Sequence, residues 1–124
     1  MGSALIIRQG FFEGRILPGL EQKFYKFVAE QMVPIWRAFP ELVELRVSSA
    51  IAPEKNLSYP LHTAFTFQSE QSLDLALASR ERQEALRRTQ TLLKMFDGCI
   101  FHVVTRELAY PDLQTQPTGA AERS

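Results

Sequence analysis

The order of extended and helical segments predicts an α+β domain with a ferredoxin-like fold, in which a four-stranded antiparallel sheet carries both helices on one face. Apolar residues alternate in four short segments and recur every three or four residues in two longer ones, in the order β-α-β-β-α-β. Connection rules then place the first and third strands in the middle of the sheet. A chain of 124 residues that is 45% apolar is long enough for one such core and too short for two.

The first strand is predicted from Ala4 to Phe12, with its end at Gly14, because the segment is rich in β-branched and aromatic residues. Apolar residues at helical spacing follow Pro18, at Leu20, Phe24, Phe27, Val28 and Ile35. Pro34 lies inside this helical pattern and lacks the N–H of an interior helix bond, so we expect a kink or a break just before it. Pro40 is expected to end the helical stretch.

Two further strands follow the first helix. Leu42 to Ala52 alternates in side-chain type and is predicted to be the second strand, and about Pro60 to Phe67 the third. The turn-forming residues from Pro53 to Ser58 are expected to connect them.

The second helical region begins after Ser69, a good N-cap residue. Its apolar spacing pauses near Ser79, which predicts one bent helix or two short ones. Asp97-Gly98 is expected to stop the helix, and Cys99 to Leu108 is predicted to be the fourth strand. Residues 1–108 thus form one domain, and residues 109–124 form a tail, mobile or packed on a partner, because they lack periodicity.

Charge and cysteine content limit the partners and the compartment. Fourteen basic side chains balance fourteen acidic ones, so the chain has no overall field to hold a nucleic-acid backbone or an anionic membrane. The single Cys99 permits no intrachain disulfide and suits a reducing compartment. The sequence shows neither a secretory signal nor an apolar run that could span a membrane, so a cytoplasmic location is expected.

Residue parity predicts what each face of the sheet carries, since side chains alternate across a strand. The odd positions are assigned to the core under the helices: Leu5, Ile7, Phe11, Val43, Leu45, Val47, Phe65, Phe67, Phe101 and Val103. The even positions, assigned to the open face, mix charges with the apolar residues Ile6, Phe12, Leu42, Ile100 and Val104. Because such apolar area in water usually marks an interface, we expect a second copy to cover the open face in a homodimer.

The same parity predicts a ligand cavity between the two sheets of that homodimer. Its wall would carry Arg8, Arg46, His62, His102 and Arg106 between aliphatic groups, a mixture typical of small-molecule sites. His62 or His102 is the candidate base, and the arginines are candidates for binding substrate and stabilising an oxyanion. A line of His102, Arg8 and His62 across one face could deprotonate an enol or a phenol. The alternative is that these groups satisfy one another in a partly wet interface.

Other polar and aromatic residues are assigned lesser roles. Tyr59, before a strand, is expected to shape the cavity mouth as a substrate-binding residue, whereas Tyr25 and Trp36 are expected to pack in the core or at its rim. Odd parity makes Cys99 a small buried hydrophobe. Five basic residues interleaved with glutamates make the second helix a solvated face: Arg80, Arg82, Arg87, Arg88 and Lys94. No zinc or iron motif and no haem motif occurs, so no metal or cofactor is predicted.

Nucleic-acid recognition is the alternative that the strand order itself raises, because RNA-recognition modules share it. Those modules carry stacked aromatics after a basic-glycine pair on the third strand. His62 to Phe67 contains no glycine and directs its two phenylalanines toward the helices by parity, so RNA binding is not expected.

Two stretches, from Met32 to Leu42 and from Ala64 to Ser79, carry motifs that resemble those of the EthD family of the dimeric α/β-barrel superfamily. The first runs from Met32 to Leu42, where the family's His-x-Pro-Leu stretch and later Leu-Pro-Gly-Leu are matched by Pro34, Ile35, Phe39, Pro40 and Leu42. The second runs from Ala64 to Ser79 and is similar to the family's strand, Phe-x-Ser turn and alanine-rich helix. Together with the strand order, the resemblance covers about Leu5 to Leu108.

This resemblance implies a homodimer with a pocket for a small, largely apolar molecule. The implied activity is that of a cofactor-independent monooxygenase, cyclase or isomerase acting on an aromatic or polyketide-like compound; the alternative is a non-catalytic accessory or binding protein of a degradative or biosynthetic pathway. Met32 stands where the family usually has histidine, and Glu41 where it usually has glycine. A thioether cannot shuttle protons, which favours the alternative.

Overall fold

The computed structural model describes residues 4–51, 58–109 and 113. Its four strands are β1 (Ile6–Ile16), β2 (Leu42–Ser48), β3 (Leu61–Phe67) and β4 (Phe96–Arg106). They form one sheet in the order β2-β3-β1-β4, and every neighbouring pair is antiparallel. The predicted α+β, ferredoxin-like topology is confirmed, with β1 and β3 in the middle.

The first helical region is continuous but changes its hydrogen-bond pattern before Pro34. It consists of α1 (Glu21–Phe27), a π-helical turn (Val28–Met32) and α2 (Val33–Arg37). The backbone N–H of Val33 donates to the carbonyl of Val28, five residues earlier, instead of four. Pro34 then stands in the first turn of α2, where its missing N–H costs no interior bond. The irregularity expected just before Pro34 is therefore present as a wide turn.

The second helical region is two helices, α3 (Glu70–Leu77) and α4 (Arg80–Leu92). Each begins at a serine whose hydroxyl accepts a backbone N–H three residues on: Ser69 from Ser72 at 3.0 Å and Ser79 from Arg82 at 3.1 Å. Capping of this kind satisfies N–H groups that lack a helical partner. The pause in apolar spacing near Ser79 thus marks a second N-terminus.

The strand boundaries differ from the sequence prediction mainly where β1 meets β4. β1 continues through Gly14, and Asp97-Gly98 lies inside β4 instead of stopping a helix, because Gly14 pairs with Gly98 and the backbones approach closely there. The second helical region ends instead in a 3₁₀ turn, Leu93–Met95. β2 and β4 end a few residues before the predicted positions, Ala52 and Leu108.

The core lies between the sheet and the helices. Its fully buried side chains include Phe24 and Met32 from the first helical region, Leu61 and Phe67 from β3, and Leu92 from α4. The predicted linker lies outside the described residues except for Ser58, and so does the predicted tail except for residues 109 and 113.

The parity assignment was wrong for β1 and β4. Ile6 and Phe12 are buried among the core residues, whereas Phe11 and Phe101 stack on each other with their ring centroids 5.0 Å apart, on the open face. For β3 the assignment was right, since its odd positions Leu61, Thr63, Phe65 and Phe67 are buried under the helices. In the β1–β3 ladder, even-numbered residues stand opposite odd-numbered ones, so a single parity cannot describe the whole sheet.

Candidate functional site

A cavity lies between the sheet and the helices, and we call it the helix-side cavity. Its volume is about 170 Å³. The sheet contributes Arg8, Phe12, Thr63, Phe65, Ile100 and His102, and the helical side contributes Trp36, Phe39, Arg82, Ala85, Leu86 and Thr89. An apolar cavity of roughly 150 Å³ is large enough to hold a benzene ring. The site is therefore suited to a molecule built on one ring.

Gly10 makes room for the imidazole of His102. Gly10 lies in β1 directly opposite Thr63 on one side and His102 on the other. A Cβ at this position would stand 2.6 Å from the Thr63 hydroxyl oxygen and 3.2 Å from Cδ2 of His102. Because real Cβ atoms do not approach a neighbour this closely, a side chain here would displace the threonine or the imidazole. The ring of His102 therefore occupies space that the absence of a side chain at Gly10 leaves free.

Aromatic rings form the wall of the cavity on the side of α2. Phe65 of β3 stacks on Phe39 with centroids 5.2 Å apart and meets the edge of Trp36 at 5.9 Å. Trp36 and Phe39 follow the Pro34 irregularity, so the turn in the first helical region sets where these rings lie. Rings in mutual contact hold a fixed shape, which favours a flat apolar ligand.

The polar groups of the cavity carry an excess of positive charge. Burial and the nearby Arg82 lower the pKa of Arg8 to about 10. Burial, Arg8 and Arg82 together lower the pKa of His102 to about 4. At neutral pH the imidazole is thus uncharged and has one nitrogen free to accept a proton, while Arg8 remains charged.

Neither guanidinium in the cavity is neutralised within the described part of the chain. No ion pair between described residues includes Arg8 or Arg82, and among these residues the guanidinium of Arg82 donates only to the carbonyl of Leu77, at 3.4 Å. The carboxylate of Glu84, two residues beyond Arg82, binds Arg87 and Arg88 instead. A positive cavity without a counter-charge is an environment that stabilises an anion.

The open face of the sheet carries a second cluster, which we call the open-face cleft. Its residues are Gln9, Phe11, Ser48, Ser49, Ala50, Tyr59 and His62, around a shallow volume of about 350 Å³. His62 lies between Gln9 (Nε2 to Oε1, 3.1 Å) and Ser48 (Nδ1 to Oγ, 3.2 Å). With the amide oxygen of Gln9 facing Nε2, that nitrogen donates, and Nδ1 accepts from the serine hydroxyl. Burial lowers the pKa of His62, so the ring is neutral at pH 7.

The predicted site residues therefore divide between two faces of the sheet. Arg8 and His102 meet in the helix-side cavity, whereas His62 and Tyr59 belong to the open-face cleft. The predicted line of His102, Arg8 and His62 across one face is wrong, because the two histidines lie on opposite faces. The error has the same origin as the parity error, since paired residues of β1 and β3 differ in parity.

Two predicted arginines lie in neither cavity. Arg46 is exposed on β2 and forms an ion pair with Glu44 at 3.4 Å. Arg106, near the end of β4, is paired with Glu70 of α3. Exposed pairs of this kind contribute little to stability and leave no free charge for a ligand.

Four further residues occupy positions that bear on the sequence predictions. Cys99 is exposed, not buried, because odd positions of β4 lie on the open face. Trp36 is buried, as expected, and Tyr25 lies at the rim, where its hydroxyl donates to the carbonyl of Pro60 at 2.8 Å. Met32 is fully buried in the core and does not line the cavity. The imidazole that does line the cavity is that of His102.

Arg82 is the site residue that the sequence reasoning missed. The charges of α4 were interpreted as a solvated face, yet Arg82 lies three residues before the buried Ala85 and seven before Thr89, on one stripe of the helix. A basic residue that continues the buried stripe of an otherwise polar helix is the signal that could have identified it.

Neither a metal-binding group of side chains nor a helix that could span a membrane is present among the described residues. Over residues 4–51, 58–109 and 113, no group of three or more histidine, cysteine, aspartate or glutamate side chains could hold a metal ion. No helix among the described residues is long and apolar enough to cross a membrane.

Known structures share this fold, although no protein-family model and no curated protein sequence matches the chain. An EthD family protein from Bacillus halodurans is 14% identical, with a TM-score of 0.65 over 84% of this chain and 99% of that one. The hydroxynitrile lyase of Passiflora edulis is 14% identical, with a TM-score of 0.63 over 86% and 95%. A dimeric ferredoxin-like protein of unknown function from Jannaschia is 20% identical, with a TM-score of 0.57 over 84% and 99%.

The fold and the cavity together define a class: a ferredoxin-like α+β domain with a cavity between its sheet and its helices. Within that class, the chain has the fold of the EthD family protein from B. halodurans. At these identities the likeness is one of fold, and at that level it confirms the resemblance expected from the sequence.

Proposed function

We propose that the protein binds a small, largely apolar ring compound in the helix-side cavity and catalyses proton transfer on it without a cofactor. The observation that supports this most directly is the placement of a neutral imidazole and a guanidinium in an aromatic-walled cavity of about 170 Å³. Sites for small molecules combine apolar walls with a few convergent polar groups in this way. Proton transfer of this kind is the first step of isomerisation or cyclisation of an aromatic or polyketide-like compound. It is also the first step of oxygenation, in which dioxygen would be the co-substrate that oxidises the anion.

In the proposed mechanism His102 is the base and Arg8 stabilises the charge that develops. The imidazole takes a proton from an acidic C–H or O–H of the ligand, and the electrons left behind form an enolate or phenolate oxyanion. A low pKa makes His102 a weak base in the empty cavity, because the two guanidiniums disfavour a third positive charge. An oxyanion formed beside them offsets that repulsion, so removal of the proton and stabilisation of the product anion support each other.

A ligand screen followed by turnover assays tests this function. We expect single-ring phenols, quinones and their enolisable analogues to raise the melting temperature of the wild-type protein, and at least one to be converted. His102→Gln should keep binding and lose turnover by about 10²-fold or more, the usual contribution of a general base. His62→Gln is the matched control, because His62 lies on the other face of the sheet. Equal loss in both variants, or ligands that bind tightly and remain unchanged, would contradict catalysis by His102.

The second candidate function, a non-catalytic binding or accessory protein, is favoured by one observation. Met32 replaces the histidine of the resembled family, and it is buried without access to the cavity. If His102 serves only to bind, tight ligands will be recovered unchanged and His102→Gln will weaken binding instead of turnover. The single Cys99, exposed and not in a disulfide, suits a reducing compartment, so we propose that either function is carried out in the cytoplasm.

We also propose that two copies associate through the open face of the sheet. Phe101 and Val103 of β4 are 38% and 41% exposed there, beside Phe11 and the free Cys99. Apolar side chains on a sheet face not covered by helices favour burial against a partner, and a two-fold dimer is the commonest solution. The similar structure from Jannaschia is described as dimeric, which supports the same assembly here.

A further inference from the structure

We infer that the helix-side cavity selects ring compounds that carry an ionised acid group, a carboxylate or a comparable planar oxyanion, and that Arg8 and Arg82 hold this group between them. This inference rests on the proposed function, because it concerns the ligand of the same cavity. It adds the charge of the ligand and a second binding residue, Arg82 of α4. Neither the charge of the ligand nor the role of Arg82 follows from the similarity in fold to known structures.

The guanidiniums of the cavity have no counter-charge among the described residues. Arg8 enters the cavity from the sheet and Arg82 from the first turn of α4, and none of the described residues that line the cavity is a carboxylate. The two carboxylates of α3 and α4 that form ion pairs are committed elsewhere: Glu84 to Arg87 and Arg88, and Glu70 to Arg106. A half-buried guanidinium without a partner is costly, and an anionic ligand removes that cost.

The basic groups of the cavity repel one another. Arg8, Arg82 and His102 are the titratable side chains lining the cavity, and each of the two arginines disfavours further positive charge at its neighbours. An anion between the guanidiniums is attracted by both and relieves this repulsion. The forked N–H groups of an arginine guanidinium also match a planar carboxylate better than the ammonium group of a lysine does.

The size and shape of the cavity suit a ring that carries one acid group. Trp36, Phe39 and Phe65 form a rigid aromatic wall, and the volume fits one ring. A ring that packs against that wall would leave its acid substituent for the guanidiniums of Arg8 and Arg82, which line the same cavity. A benzoate-like molecule therefore satisfies both the apolar and the charged parts of the site.

Isothermal titration of benzoate and of benzamide, its neutral analogue of nearly equal shape, tests the inference. At low ionic strength, benzoate should bind wild type about tenfold or more tightly than benzamide, since a charge-assisted hydrogen bond is worth roughly that factor. Arg82→Gln should lower the benzoate affinity about tenfold and leave benzamide unchanged. Arg80→Gln is the matched control: Arg80 lies in the same turn of α4, exposed and outside the cavity, so its loss should change neither affinity.

An NMR titration of His102 gives a second readout that a merely structural role of Arg82 would not move. Benzoate should raise the pKa of His102 in wild type, because it offsets the field of both guanidiniums, and benzamide should not. Benzamide binding as tightly as benzoate, or benzoate affinity that survives both Arg8→Gln and Arg82→Gln, would overturn the inference while leaving the proposed function intact. If no ring compound, charged or neutral, shifts the His102 resonances, both the inference and the proposed function are wrong.

Discussion

The pKa of His102 connects the chemistry of the cavity to the stability of the fold. Its value of about 4 in the folded protein lies below the ordinary value of 6.5, so the unfolded chain binds a proton more readily than the folded one. The stability that depends on neutral His102 is therefore complete above about pH 6.5 and is lost as the pH falls toward 4. Acid weakens the protein before most carboxylates titrate.

Urea unfolding of wild type and His102→Gln between about pH 7 and about pH 5 checks this expectation. Wild type should lose on the order of 1 kcal/mol over that range, a figure reduced to allow for solvent screening of a partly exposed group. His102→Gln should lose clearly less. His62→Gln is the comparison. Because burial alone lowers the pKa of His62, this variant should remove a smaller part of the dependence of the free energy of unfolding on pH. A wild-type slope equal to that of His102→Gln would refute the assignment.

Glu41 is a strained residue whose relief should stabilise the protein. It adopts a φ of 67°, in the left-handed region that disfavours side chains, at the position where the resembled family has glycine. Its carboxylate accepts a long hydrogen bond of 3.5 Å from the hydroxyl of Ser72, which is a weak compensation. Glu41→Gly and Glu41→Asn should each raise the free energy of unfolding by about 0.5–1 kcal/mol.

Chemical denaturation of the two Glu41 variants, compared with that of the separate variant Ser72→Ala, distinguishes the effect of backbone strain from that of the side-chain contact. Ser72→Ala removes the hydroxyl that Glu41 accepts from and leaves the backbone unchanged, so it should not stabilise. If both Glu41 variants are less stable than wild type, the left-handed conformation carries no strain worth relieving.

At the scale of elements, the ladder between β1 and β4 depends on a pair of glycines. Gly14 and Gly98 lie opposite each other, and a Cβ on Gly98 would stand 2.0 Å from the carbonyl oxygen of Glu13. Because the obstruction is backbone and not the end of a flexible side chain, the strands would have to separate. The two glycines allow β1 and β4 to pair along their full length, and this pairing moves the strand boundaries past those that the sequence predicted.

Gly98→Ala should lower the free energy of unfolding by about 2–3 kcal/mol, from overpacking together with backbone strain. Gly19→Ala provides the matched control: Gly19 also has a positive φ, of 83°, but a Cβ there would meet nothing within 4 Å. It should cost only about 1 kcal/mol of strain. Thermal unfolding followed by circular dichroism measures both, and equal losses would show that the close approach at Gly98 is unimportant.

Element boundaries were predictable where a side chain marks them. Ser69 and Ser79 identify helix starts because their hydroxyls accept backbone N–H groups, and Pro34 identifies the irregularity before α2 because it lacks an N–H. Asp97-Gly98 misled the prediction, since the same dipeptide that ends helices also permits close strand pairing. A local signal determines the boundary only where no distant strand competes for the segment.

At the scale of the whole molecule, the two faces of the sheet carry different proposed roles. The helix-side face holds the cavity with Arg8 and His102, and the open face holds the apolar residues around Phe11 and Phe101. A dimer through the open face would leave each helix-side cavity within its own protomer. Ligand binding in the cavity and association through the sheet are therefore separable by mutation.

Val103→Glu and Val104→Glu form a matched pair that tests this assembly. Both valines are exposed neighbours on β4, at 41% and 51%, but Val103 lies on the open face and Val104 on the other. Light scattering should give a dimer mass for wild type and for Val104→Glu, and a monomer mass for Val103→Glu, because a buried unpaired charge opposes association. A wild-type mass of 14.1 kDa at micromolar concentration would contradict the proposed dimer.

The sequence by itself determined the order of the elements and the topology of the sheet. It also singled out Arg8 and His102, but it assigned both to the open face, whereas they line the cavity under the helices. Periodicity, capping serines and prolines are local, so one chain is enough to interpret them. Only the tertiary structure decided which face of each strand meets the helices. The face that a strand turns toward the helices is set by loop lengths and by the register between strands. Both faces of β1 are apolar enough to be core, so the sequence of β1 alone does not decide between them. For the same reason only the structure could separate His62 from His102 and bring Arg82 of α4 to the cavity.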